Sequence, residues 1–208
     1  PGSAGLRAIG PENMHMTKTK ILAAIASLAA LSGCISLGSE PPEQLLTLTP
    51  SATIPAGGSA EGEVSAALAV QVPSVTQRLN VTRVPVTTSD SSLAYLQEAF
   101  WVEKPAQLFR NVLAETIRAK GNRLVVGGGE LEYVARTQLT GQLVDMGYDA
   151  TSSNAVVRYD AVLKMPDGTI RTRRFEHAVP ALPEAGDVGA ALNEAANVVA
   201  DEVAEWVG

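Results

Sequence analysis

Between residues 137 and 179 the chain keeps a two-residue period, and no other feature of the sequence restricts its fold as strongly. Residues 137–148 and 154–165 read as long strands; in the second, Val157, Tyr159, Ala161, Leu163 and Met165 share one face. Pro166-Asp167-Gly168 then makes a turn, with proline presetting its φ and glycine taking a positive φ, and the chain returns along residues 169–179. A sheet built this way needs helices to cover it, and two stretches have the period for it. After Pro105, tolerated in a first helical turn, Leu108, Phe109, Val112, Leu113, Thr116 and Ile117 form one stripe that stops at Gly121. Near the C-terminus Asp187 is expected to cap a helix with Val188, Leu192, Ala195, Val199, Val203 and Trp206 on one side. Asn193, Glu194, Asn197, Asp201 and Glu205 fall on the other side, and Asp201, Glu202 and Glu205 oppose the helix dipole at its C-terminal end. Earlier strands are expected over residues 44–49, stopped by Pro50, over 66–72, ended by Pro73, and over 79–87. In the last of these Leu79, Val81, Arg83 and Pro85 share a face, and Pro85 marks an edge or a bulge. Residues 51–63 read as a Gly/Pro loop, residues 93–100 as a strand or a short helix, and residues 123–126 as a short strand.

The N-terminal part follows a different logic. Residues 1–15 have no periodicity and are set aside as an added or misassigned extension. From Met16 the order is that of a secretory leader: Lys18 and Lys20, then the apolar run ILAAIASLAAL over residues 21–31. Those eleven residues, at the helical rise, span only about half of a bilayer core, so they make a signal-peptide segment and not a membrane-spanning helix. The run ends in Leu31-Ser32-Gly33-Cys34, which resembles the bacterial lipobox. The cysteine thiol is the nucleophile that takes the lipid, and two small residues leave room for the peptidase. Residues 16–33 are therefore expected to be a signal peptide cleaved before Cys34, with a diacylglycerol and an N-acyl chain on Cys34. Residues 34–43 form a Pro-rich tether and residues 44–208 a single domain. Ile35 and Ser36, where inner-membrane lipoproteins resemble one another in carrying aspartate, point to the periplasmic leaflet of the outer membrane.

Composition narrows the function classes. Cys34 is the single cysteine, so the domain holds together without an internal disulfide even in an oxidising compartment. Setting aside Arg7, Lys18, Lys20 and Glu12 leaves 13 basic and 21 acidic residues in the 175 from Cys34 onward, a net charge of −8. That balance argues against nucleic acid and against electrostatic adhesion to anionic lipid. Three acyl chains on Cys34 hold a protein to a membrane without any basic patch.

Chemistry has few residues to work with. His177, the one histidine after the leader, would have to serve any Ser–His–Asp triad, and no Gly-x-Ser-x-Gly elbow presents a serine to it. A zinc site wants several His or Cys ligands, which leaves His177 alone once Cys34 is lipidated. Gly127-Gly128-Gly129-Glu130 lacks the Gly-Lys-Ser/Thr ending of a phosphate loop and reads as a strand exit. Arg158, Lys164, Arg171, Arg173 and Arg174 gather in the hairpin, as a solvated face paired with carboxylates or as a contact for an acidic partner. Tyr95, Phe100 and Trp101 cluster ahead of the first helix, where core packing is the ordinary role. No catalytic, cofactor or metal residue is expected.

One resemblance draws these features together. Val70-Gln71-Val72-Pro73, Gln77-Arg78-Leu79-Asn80-Val81-Thr82-Arg83, Leu93-Ala94-Tyr95 and Phe100-Trp101-Val102-Glu103-Lys104-Pro105, behind a lipobox leader, resemble the ABC-type transport auxiliary lipoprotein family of the paraquat-inducible protein C type. The chain departs from that pattern in carrying Leu45-Leu46-Thr47-Leu48 where the family has an early tyrosine strand, and in a long loop after Pro50. The resemblance covers roughly residues 44–207. It implies a mixed α/β sheet with helices on both faces, similar to the anticodon-binding-domain type. It also implies a non-catalytic subunit of an ABC transporter with a mammalian-cell-entry (MCE) substrate-binding subunit, moving lipids or other hydrophobic compounds across the envelope. Its expected partners are that MCE subunit and the outer membrane, and the soluble domain is expected to self-associate at high concentration. A free-standing scaffold lipoprotein of the outer membrane and a periplasmic hydrolase are the alternatives.

Overall fold

The computed structural model describes residues 44–121, 124–127 and 134–208, with Gly2. The chain divides at Pro41, and the structure below belongs to the unit Pro42–Gly208. Its strands are β1 (Leu68–Val70), β2 (Ser74–Val75), β3 (Arg83–Ser89), β4 (Ser92–Phe100), β5 (Val125–Val126), β6 (Thr137–Asp149), β7 (Asn154–Lys164) and β8 (Ile170–Pro180). Among the described residues its long helices are α1 (Pro105–Lys120) and α2 (Ala185–Val207).

Strand β6 organises the sheet. Along one side it pairs antiparallel with β7 over its whole length, and β7 pairs antiparallel with β8. Along the other side three short strands meet it in succession, all parallel: β1 at Thr137–Leu139, β2 at Gln142–Leu143 and β3 at Tyr148–Asp149. Beyond them lie β5, parallel to β1, and β4, antiparallel to β3. The β7–β8 turn forms as its residues require. Gly168 has φ +89°, its N–H donates to Met165 O at 3.0 Å, and the Asp167 carboxylate accepts from Thr169 N at 2.8 Å.

The main core lies between one face of the sheet and the two described helices. Leu139, Leu143, Val157, Tyr159, Ala161, Leu163 and Phe175 are buried on one face of the sheet. The ring of Phe109 from α1 meets Tyr159 edge-on at 5.2 Å, and Trp206 from α2 meets Phe175 at 5.7 Å. Both described helices, α1 and α2, therefore lie on the same face. On the reverse of β7 and β8, Arg158, Asp160, Arg174 and Glu176 alternate with the buried residues and keep that part of the sheet in water, as antiparallel sheets permit. Behind β1 and β5 a small second cluster, Ala67, Ala69, Val126 and Ala135 with Leu124, is buried separately.

The expected apolar stripes of both helices are buried, with Trp206 partly so. Three local expectations change. Residues 44–49 make a single bridge, Leu46 with Trp101, and no strand. Residues 77–79 form a 3-10 turn that buries Leu79, and β3 starts at Arg83, with Val84 and Val86 in the core instead of the Arg83 face. Pro85 sits at a bulge, where the register with β4 jumps from Arg83↔Phe100 to Pro85↔Tyr95, while the sheet edge is β4. Helix α2 begins at Ala185 with Glu184 at its cap position, so Asp187 lies within the first turn, where its charge suits the dipole. The acidic C-terminal end of α2 is compensated from outside. Lys120 of α1 pairs with Asp201 at 2.8 Å, and Arg171 of β8 donates to the Trp206 carbonyl at 3.2 Å.

Candidate functional site

Leu31, Ser32, Gly33 and Cys34 lie outside the described residues. What the structure shows is how the chain that follows them is fastened to the domain. Leu46 N donates to Phe100 O at 2.7 Å, and Val102 N donates to Leu46 O at 2.9 Å. Leu48 is buried in the core. The chain then runs as a strap over α2, held by side chains that satisfy its backbone. Thr49 N donates to Asn193 Oδ1 and Ser51 N to Asn197 Oδ1, both at 2.7 Å, while Asn197 Nδ2 donates to Thr49 O at 2.9 Å. Farther on, Ile54 N donates to Glu115 Oε1 of α1 at 3.0 Å. Gly189 lets Leu46 approach α2 closely, since a methyl group there would stand 2.6 Å from Leu46 Cδ2. Asn193 and Asn197, expected on the solvated side of the helix, are thus the clasps of the strap. Replacing Asn197 with alanine removes both ends of this bonding and is expected to cost about 1–3 kcal/mol. Thermal unfolding measures that loss, and faster amide exchange at Thr49 and Ser51 localises it; an unchanged melting temperature and exchange rate would contradict the clasp role.

The expected basic patch separates by strand alternation. On the open face of the sheet, Arg158 holds Glu176 through two bonds of 2.6 and 3.0 Å, and Arg174 holds Asp160 through two of 2.6 and 2.7 Å. Each arginine keeps its carboxylate partner below the usual range. Arg78 reaches the same face and pairs with Asp145 at 3.1 Å, where burial nevertheless pushes the Asp145 carboxyl up. Arg171 and Arg173 point the other way, toward the helices. Arg171 stacks over Trp206 and Arg173 over Phe175, each 4.9 Å from the ring centre. Among the described residues no carboxylate lies within ion-pair distance of either.

The aromatic cluster ahead of α1 also divides. Trp101 is fully enclosed in the core, while Arg83 lies over Tyr95 at 4.8 Å and over Phe100 at 5.9 Å. Beside Tyr95, at the bulge of β4, Glu98 takes φ +56°, an uncommon conformation for a residue with a side chain. A groove of about 650 Å³ opens there, between Tyr95, Leu96 and Glu98 on one side and Pro183, Glu184 and Gly186 at the start of α2 on the other.

His177 is half-buried on β8 opposite Val157, and among the described residues no hydrogen bond reaches its imidazole. Gly127 follows β5 directly, and a side chain there would run into the guanidinium of Arg110, whose Nε donates to Val70 O at 3.0 Å. A side chain at Gly127 would therefore displace the Arg110 guanidinium; Gly128, Gly129 and Glu130 lie outside the described residues. Among the described residues no three His, Cys, Asp or Glu side chains converge on a point that could hold a metal ion. None of the described helices is long and apolar enough to cross a membrane. What the described surface offers is fastening and contact: a strap, a charged sheet face and open strand edges.

Comparison with known proteins agrees with this architecture. The family model described as ABC-type transport auxiliary lipoprotein component matches residues 46–204. Among solved structures, a protein of Xanthomonas campestris assigned to the DUF330 family superposes with a TM-score of 0.66 at 18% identity, covering 79% of this chain and 94% of that one. An uncharacterized protein superposes with a TM-score of 0.59 at 13% identity, covering 79% of this chain and 100% of its own. At these identities the likeness concerns the fold. No curated protein matches the sequence.

Proposed function

Because the chain belongs to the family of ABC-type transport auxiliary lipoprotein components, we propose that it is the lipid-anchored docking subunit of an MCE-type ABC transporter. It stands in the periplasm on the inner leaflet of the outer membrane and helps lipids or other hydrophobic compounds cross the envelope. The observation that carries this reading is the family match over residues 46–204, nearly the whole folded domain, directly behind a sequence with a lipobox at Cys34. The strap supports it. A subunit that links a membrane to a partner must fasten its tether, and here the first described residues are bonded into the core and to both helices. In this role Cys34 carries the anchor, Asn193 and Asn197 hold the strap, and no side chain performs a reaction.

Genetics tests the proposal. Deleting this chain should reproduce the envelope phenotype of deleting the transporter permease, and removing both should be no more severe. An additive double phenotype would contradict a shared pathway. His177→Ala should restore growth or resistance as fully as the natural sequence, since one imidazole without a partner has little acid–base work to do. Loss of complementation in that variant, with the fold intact by circular dichroism, would favour a hydrolase.

A further inference from the structure

The edge strand β8 is left open in a way the core does not require. Among the described strands it pairs with β7 alone, and residues 170–174 are exposed. The bonds Met165 N to Thr169 O and Ala181 N to Ser153 O set the phase of the β7–β8 ladder. Odd-numbered residues of β8 face β7, so the backbone groups of Thr172, Arg174, Glu176 and Ala178 turn outward. No hydrogen bond among the described residues reaches those groups. Arg171 and Arg173 stand along this edge, one residue apart and on the same face. Their guanidinium groups are stacked on Trp206 and Phe175, whose rings touch each other edge-on. In a chain with eight more acidic than basic residues after the leader, no carboxylate among the described residues reaches these two cations, Arg171 donating only to the Trp206 carbonyl, while Arg158 and Arg174 on the reverse face each have one.

We propose that β8 is a strand-addition edge for an extended segment of a partner protein that carries two carboxylates with one residue between them. This deepens the docking reading and rests on it. A strand added beside β8 continues the pleat, so its residues i and i+2 fall on one face at the same spacing as Arg171 and Arg173. Directly opposed side chains then come within about 5 Å of each other. The arginine fork matches a carboxylate in shape as well as charge, and stacking on the rings leaves less side-chain freedom to lose on binding. On the reverse face the added strand meets Arg174 and Glu176, which are already paired, so the acidic requirement falls on one face. Charge also selects against a second copy. Two β8 edges paired about Thr172 would set cation against cation, and of the other outer strands β4 has Glu98 as its only carboxylate and β5 has none. A lipid headgroup could neutralise the arginines but would leave the outward amides and carbonyls without a strand to pair with.

Synthetic peptides test the spacing on the full-length lipoprotein in detergent. The probe is a blocked seven-residue Thr/Val peptide with glutamate at its third and fifth positions. The control moves the second glutamate one place on, to the opposite face. The first peptide should shift the amide resonances of Thr172, Arg174 and Glu176 and bind about tenfold tighter than the control. Arg171→Gln with Arg173→Gln should remove that preference. Equal binding of the two peptides, shifts elsewhere, or no binding at millimolar concentration overturns the proposal. So does arginine-dependent binding to anionic phosphatidylglycerol vesicles without peptide binding, or protection of β8 that appears only on self-association. A pull-down separates this inference from the functional reading. If the natural sequence recovers transporter subunits and the double variant recovers them equally, the edge is not the docking surface and the functional reading stands.

Discussion

Replacing Cys34 with serine is expected to abolish palmitate labelling completely and to leave an uncleaved precursor, or one that is not retained on the outer membrane. The effect is all or none because the chemistry has one nucleophile. Cys34 is the only thiol in the chain, and a serine hydroxyl is a far weaker nucleophile at neutral pH than a thiol with its accessible thiolate. In the proposed reading the acyl chains carry the attachment, since the chain is acidic and offers no basic patch to an anionic membrane surface. The domain itself should fold unchanged in the variant, since the described core is formed by residues from Leu48 onward. Normal labelling of Cys34→Ser in growing cells would remove the basis for placing this protein on a membrane.

The second large effect belongs to the core. Phe109→Ala should destabilise the domain by about 3–5 kcal/mol, or roughly 10 °C in melting temperature for a domain of this size. Phe109 is fully buried where α1, α2 and the sheet meet, and its ring lies edge-on to Tyr159. Truncation opens a cavity beside a residue that cannot move to fill it, because the Tyr159 hydroxyl donates to Thr140 O at 2.7 Å. Arg174→Gln makes the control. It breaks a doubly bonded pair with Asp160, but Arg174 is exposed and water takes the place of the lost partner, so little stability should go with it. Thermal unfolding of the two variants side by side checks the contrast. Equal losses would mean that the core between the sheet and the helices is not what holds the domain together.

Much of this architecture is legible in the sequence, and the parts that are not share a cause. The stripes of α1 and α2 and the alternation of β6, β7 and β8 were legible because burial imposes a period on neighbouring residues. Residues 44–49 alternate too, and so resembled a strand. Alternation reports that one side of an extended chain is covered, and says nothing of whether a neighbour pairs with its backbone. Here Leu46 and Leu48 turn inward from a strap that makes one bridge. Asn193 and Asn197 read as a solvated helix face because polarity cannot distinguish water from the backbone of residues 49–51. The reverse of the sheet was equally hidden. The arginines stood together in sequence, but the carboxylates that pair with them, Asp160 for Arg174 and Glu176 for Arg158, come from across the β7–β8 ladder. Strand alternation then sent Arg171 and Arg173 to the opposite face, a separation visible in the spacing once β8 is known to be an edge. The acidic end of α2 had no explanation until Lys120 and Arg171 arrived from other elements.

Crosslinking in living cells tests the docking role most directly. The natural chain, expressed at its own level and crosslinked before gentle detergent extraction, should be recovered together with the MCE subunit of an ABC transporter, and Cys34→Ser should lower that yield sharply. If the crosslinked material contains no transporter subunit, while the purified protein turns over a lipid or glycan ester, the protein is an enzyme of the envelope and not a transporter component.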